Sequence, residues 1–235
     1  MTRQRPLPLT LDNDNRFDRF YRGANHSAVA RLRHLAESER GEADWIFLHG
    51  PAASGKTHLL QACAQEWSGD KGRSVYIPLG PKAGWRTDAL EGLVGVGLYC
   101  LDNIEAVAGN VDWERALFAL LNRARSEQAS VVMASQVALP SLSVDLPDLA
   151  SRLAWGERLS LVLPDEQALG ELLEQRARQL GLSLDDRARV YLLQRLARNP
   201  ASINLALKRI GEFSLSAHRR ITVPLIREAL AQGET

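Results

Sequence analysis

Short apolar runs alternate with amphipathic stretches through the first two thirds of the chain, and only amphipathic stretches fill the remainder. Five runs are short, apolar and bounded by turn formers, and so predict buried strands. They are Trp45–Gly50, Ser74–Leu79, Leu98–Asp102, Val131–Ser135 and Arg158–Leu163. Between them the apolar positions recur at helical spacing. One helix starts near Ser27 and runs through Val29, Leu32 and Leu35, with Asn25 or Ser27 as its N-cap. Others span Lys56 to about Trp67, and Trp113–Ser126. Strands alternating with helices imply parallel βαβ units, hence an α/β fold with a three-layer αβα sandwich. After Pro164 no further strand is predicted. Leu169, Leu172, Leu173, Arg176 and Leu180 trace one helix face, and Asp185–Ala197, Ser202–Ser216 and Pro224–Ala231 give three more helices. The expected organisation is a flexible segment at 1–14, where Pro6 and Pro8 oppose helix and sheet, an αβα domain at 15–163 and a small all-helical domain at 164–235.

Composition adds exclusions. Hydrophobic residues make up 45% and charged residues 24%, ordinary for a soluble globular chain. The 29 basic and 28 acidic side chains leave a net charge of +1, so nucleic-acid contact would require a local patch. No apolar run approaches the ~20 residues of a membrane span, and a cytoplasmic location without membrane contact is expected. Cys63 and Cys100 read as buried free thiols of a reduced compartment. Trp45, Trp67, Trp113 and Trp155 fall in apolar patterns and are expected in the core; Trp85, near Pro81 and Gly84, is expected on a surface loop, and Arg219 with Arg220 in a solvated turn.

The chemistry concentrates after the first strand. Gly50, Pro51, Ala52, Ala53, Ser54, Gly55, Lys56 and Thr57 complete the P-loop pattern, between a predicted strand and a predicted helix. Glycines let the loop wrap so that backbone N–H groups face phosphate oxygens, and the helix start adds its positive dipole end. Lys56 neutralises phosphate charge, Thr57 offers a hydroxyl to Mg²⁺, and His58 follows on the helix as a further cofactor-binding candidate. Asp102, closing the run Leu98–Asp102, supplies the acidic residue that holds Mg²⁺. The next residue is Asn103, an amide that takes no proton, and Glu105 lies two further on. Weak or absent hydrolysis by the chain itself is therefore expected: a switch rather than a motor.

Several segments together resemble the DnaA branch of the AAA+ proteins, and more closely its Hda-type members, regulatory inactivators of DnaA. They are LDNIEAVAG (Leu101–Gly109), FDRFYRGANHSAV (Phe17–Val29), LPDLASRLAWG (Leu146–Gly156) and QRPLPL (Gln4–Leu9). The resemblance implies an AAA+ P-loop sandwich with a helical lid, binding ADP or ATP with Mg²⁺. It implies that Gln4, Leu7, Pro8 and Leu9 hold the DNA polymerase III sliding clamp (its beta subunit), so that DNA is met only through the clamp. It implies that Arg152 is an arginine finger acting in trans on ATP bound to DnaA, which represses re-initiation of replication. A head-to-tail homo-oligomer is compatible with such a finger. An adaptor that binds DnaA or another AAA+ partner without stimulating hydrolysis is the competing reading. Two departures from the family pattern stand out. Ser135 and Gln136 occupy the position of its γ-phosphate sensor, and Ala201 the position of its lid arginine, with Arg198 a helical turn away.

Overall fold

Five parallel strands carry the first unit, in the order β2-β3-β4-β1-β5. They are β1 (Trp45–His49), β2 (Arg73–Pro78), β3 (Val96–Asp102), β4 (Ser130–Ser135) and β5 (Glu157–Ser160). The computed structural model describes residues 15–37, 43–67, 72–80 and 86–231. Strand pleating sends alternate side chains to opposite faces. Phe47, Tyr99, Leu101, Val131 and Met133 join one core cluster, with Leu117, Leu120 and Leu121 of α3 (Val111–Ser126). Ile46, Leu48, Leu98, Cys100, Val132 and Ala134 join the other, with Leu32 and Leu35 of α1 (His26–Glu37) and Leu59, Leu60 and Cys63 of α2 (Lys56–Glu66). The three layers expected from the alternating pattern are thus present. α4 (Pro147–Leu153) precedes the edge strand β5.

A boundary between Val162 and Leu163 separates the second unit, which is wholly helical among its described residues. It comprises α5 (Glu166–Gln179), α6 (Asp186–Arg195), α7 (Pro200–Ala217) and α8 (Val223–Ala231). Its core is built from Leu172, Leu173, Leu192, Ile203, Leu207, Ile210, Leu225 and Ile226. The Arg219 guanidinium makes two hydrogen bonds to Glu228, at 2.7 and 3.2 Å, so the turn expected at Arg219 closes on α8 by an ion pair.

Four local expectations are corrected. Asn25 caps no helix: a 3-10 turn over Gly23–Asn25 runs straight into α1. The Asn25 side chain is instead buried, donating to Val162 O at 3.0 Å and accepting from Val162 N at 2.9 Å, which ties the chain beyond β5 to the start of α1. The run Arg158–Leu163 ends its strand at Ser160, although Leu161 N still reaches His49 O at 2.7 Å. Leu180 lies just past the end of α5 and is exposed, and buried Ala177 takes its place on the apolar face. Trp155 is 41% exposed, whereas Trp45, Trp67 and Trp113 pack partly buried against the two clusters. Trp85 lies outside the described residues.

Candidate functional site

β1 ends at His49, and the loop Gly50–Gly55 leads into α2. Two glycines decide its shape. A Cβ on Gly50 would lie 2.5 Å from the Leu161 carbonyl oxygen, so only glycine lets the loop pass the chain beyond β5. Gly55 has φ +98°, and a Cβ there would meet the Phe20 ring at 2.4 Å. Ala53 also takes a left-handed conformation, φ 61°. Pro51, Ala52 and Ala53 form the exposed crest, and the buried Ser54 Oγ has no hydrogen-bond partner. No side chain caps α2, so its first N–H groups stay open for an anion.

Lys56 is 6% exposed, and its Nζ donates to Gly50 O at 2.7 Å and Pro51 O at 2.9 Å. Burial lowers the Lys56 pKa, opposed by the negative charges of Glu105 and Asp102. Glu105 therefore does bear on the loop, and its Oε2 is buried without a partner. Asp102 is 1% exposed at the end of β3. Its Oδ2 accepts from Thr57 Oγ1 at 2.6 Å and from the Tyr76 hydroxyl at 2.9 Å, and its Oδ1 from Asn103 N at 3.0 Å. Hydroxyl and carboxylate oxygens side by side are the hard donors Mg²⁺ takes, with phosphate and water completing its shell, so these residues fit that ion. Asn103 has φ 60°, which turns the chain sharply into the 3-10 turn carrying Glu105. His58 faces the preceding segment: its ring nitrogen lies 2.8 Å from Arg16 O, and its ring meets Phe20 edge-on at 5.4 Å. Ser135 is fully buried; its Oγ accepts from Val137 N at 3.1 Å and its carbonyl from Gly50 N at 3.2 Å, while Gln136 is exposed.

Arg152 lies elsewhere. It sits in the last turn of α4, a helix that the apolar pattern of the sequence does not announce. Its Nε donates to Asn122 Oδ1 at 2.8 Å, and its guanidinium carbon lies 4.1 Å from the Trp155 ring centroid and 5.6 Å from that of Phe118. Arg125 stacks on the same indole, also at 4.1 Å. Because Ile46 pairs with Glu157 and His49 with Ser160, the residues before β5 lie where the strands begin, and the P-loop lies where they end. The two are separated by the length of β1, on the order of 15 Å.

Sequence alignment adds descent to this geometry. Residues 165–230 match a family described as "Hda, lid domain", and residues 11–77 match the bacterial DnaA ATPase domain. A Haemophilus influenzae protein, described as uncharacterized, is 36% identical over 98% of this chain and 99% of its own length. The chain belongs to the Hda-type, DnaA-related AAA+ family. Solved structures share its fold. Domain III of the Thermotoga maritima replication initiation protein DnaA aligns with TM-score 0.75 at 18% identity, covering 95% of this chain and 98% of that one. AMPPCP-bound DnaA from Aquifex aeolicus gives 0.69 at 21% identity, covering 85% and 66%. A Thermotoga maritima RuvB structure gives 0.67 at 17%, covering 93% and 72%.

Within this Hda-type chain, Ala201 is exposed in the first turn of α7. Arg198 precedes the Asn199 cap and pairs with Glu166 at 3.7 Å, so a cap rather than a helical turn separates it from Ala201. Gln4, Leu7, Pro8 and Leu9 lie outside the described residues. Two functional supports escape the sequence reading. Tyr76 reaches Asp102 from the neighbouring strand, and the only hint was a tyrosine two residues before the strand's end, on the face that Asp102 shares. Glu114 is 1% exposed in α3, where its pattern looks like a solvated face. Its carboxylate accepts from the backbone N–H of Gly109 at 2.7 Å, Asp145 at 3.0 and 3.1 Å, and Leu146 at 2.7 Å. It thereby fixes the entry to α4, and with it Arg152.

Proposed function

We propose that this chain is a nucleotide-bound regulator of DnaA that stimulates hydrolysis of DnaA-bound ATP through Arg152. The observation that carries the reading is the separation along β1: Arg152 is a strand's length from the chain's own P-loop, so its guanidinium serves another subunit's phosphates. A guanidinium spreads positive charge over the γ-phosphoryl oxygens as charge develops there, worth roughly 10³–10⁵ in rate in comparable systems. The P-loop holds ADP or ATP: backbone N–H groups of the loop and of α2 take phosphate oxygens, and Lys56 neutralises them. The AMPPCP-bound state of the structurally similar Aquifex aeolicus DnaA supports an adenine nucleotide here. Thr57 and Asp102 hold Mg²⁺, which would shield phosphate charge. With Asn103 beside Asp102, the chain activates water poorly, and occupancy outlasts turnover. Gln4, Leu7, Pro8 and Leu9 tether the regulator to the sliding clamp, which brings it to newly replicated DNA.

An adaptor that recruits DnaA without chemistry is the second reading, favoured by the engagement of Arg152 with Asn122 and Trp155. Purified chain mixed with ATP-loaded DnaA and clamp on DNA distinguishes them. The regulator converts the bound ATP to ADP, and Arg152→Ala abolishes the conversion while the mixture still assembles. Assembly with no ADP formed by the unaltered chain refutes the regulator.

A further inference from the structure

The Asp102 carboxylate receives more than the Thr57 hydroxyl that a P-loop requires. Tyr76 donates to the same oxygen from β2, at 2.9 Å. The Gln61 side chain of α2, a residue only 9% exposed, bears on the Tyr76 hydroxyl, as does Thr57. Gln61 Oε1 accepts from Asn15 Nδ2 at 2.9 Å, across 46 positions of sequence. Two bonds run the same way, the Asn15 amide to the Gln61 carbonyl and the Tyr76 O–H to Asp102, with the Gln61 side chain beside the phenol. Donors aligned head to tail polarise one another, and in a half-buried setting each bond strengthens its neighbours.

Resting on the nucleotide-binding reading above, we propose that Tyr76 is a positioning residue for Asp102. Gln61 and Asn15 extend this support, so that Mg²⁺-dependent nucleotide affinity answers to the segment entering the domain. Tyr76 holds one carboxylate oxygen against β2, beside the Thr57 hydroxyl that shares it, and so fixes the rotation of the carboxylate that would hold Mg²⁺. Without the phenol the carboxylate gains freedom of rotation, and metal affinity falls as it does when outer-shell partners of metal ligands are removed. Asn15 lies 46 positions before Gln61, so a change there acts on the metal site through side chains rather than through the loop. Contact alone does not establish such coupling, and a mutant cycle measures it.

The test is titration of the purified chain with ADP, in excess Mg²⁺ and again in EDTA. Tyr76→Phe weakens binding about tenfold in Mg²⁺ and leaves the EDTA value unchanged. Asn15→Ala does the same by about fivefold, and the double variant is no weaker than Tyr76→Phe alone. Additive losses, or an equal loss in EDTA, overturn the relay, the latter by showing direct contact with nucleotide. A Tyr76→Phe chain with undiminished Mg²⁺ dependence overturns the positioning role. Should that variant not fold, Asn15→Ala decides alone: a loss confined to Mg²⁺ upholds the relay, and no loss ends it. Failure of the unaltered chain to bind ADP at all instead refutes the nucleotide reading beneath it.

Discussion

α2 starts bare, as does the short α4 led by Pro147, while α3, α5, α6 and α7 start on side chains that each accept one of the first N–H groups: Asn110, Asp165, Asp185 and Asn199. A capped helix end is complete in itself; an open one is completed by an anion. The two ends of the sheet repeat the contrast. Where the strands end, glycines, Lys56 and a bare helix are arranged to receive negative charge. Where they begin, Arg152 is presented on an indole that also carries Arg125, and its Nε is bonded to the neutral Asn122 side chain. On the proposed function, one end would take in phosphate and the other would offer a cation, a division that suits a protein acting on a neighbour's nucleotide.

The largest expected effect tests whether the ends are chemically independent. Arg152→Ala lowers stimulated hydrolysis of DnaA-bound ATP by roughly 10³ or more, yet leaves ADP affinity of the variant unchanged. A parallel loss of ADP affinity would merge the two sites into one. Next comes Glu114→Ala, which strands two backbone N–H groups at the entry to α4 and a third at Gly109 before α3, and costs about 3 kcal/mol in denaturant unfolding. Stimulation falls with it as Arg152 loses its seat. Lys56→Ala follows, with ADP affinity down about 100-fold. Its thermal midpoint without nucleotide stays near that of the parent, because the lysine's bonds go only to the loop's own carbonyls.

How far the sequence reveals these regions differs for a physical reason. The P-loop is contiguous, so its residues and their spacing are visible in a single string. Apolar runs likewise disclose β1, β3 and β4, which lie buried on both faces of a parallel sheet, whereas the edge strand β5 is largely exposed. Arg152 needed a resemblance to be noticed, because a guanidinium on a short helix has no spacing of its own. Tyr76, Gln61 and Glu114 were illegible, since their partners are distant in sequence and meet only when the sheet and α3 assemble. Trp155 misled by its apolar neighbours: a Cβ on Gly156 would lie 3.1 Å from Phe47 N, so that residue packs close on β1 and the preceding indole lies outward over Trp45.

The smallest effect sharpens the opening contrast. Asp185 Oδ1 accepts from Ala188 N at 2.7 Å and so satisfies one of the donors that α6 would otherwise leave open. Asp185→Ala removes that acceptor from an exposed helix start, where water replaces it in part, and costs about 1 kcal/mol in the helical unit. ADP raises the unfolding midpoint of the parent and of this variant by the same increment, because the ligand completes α2 and not α6. If ADP instead restores the lost stability of Asp185→Ala, the anion is capping α6, and the bare start of α2 loses its distinction as the phosphate seat.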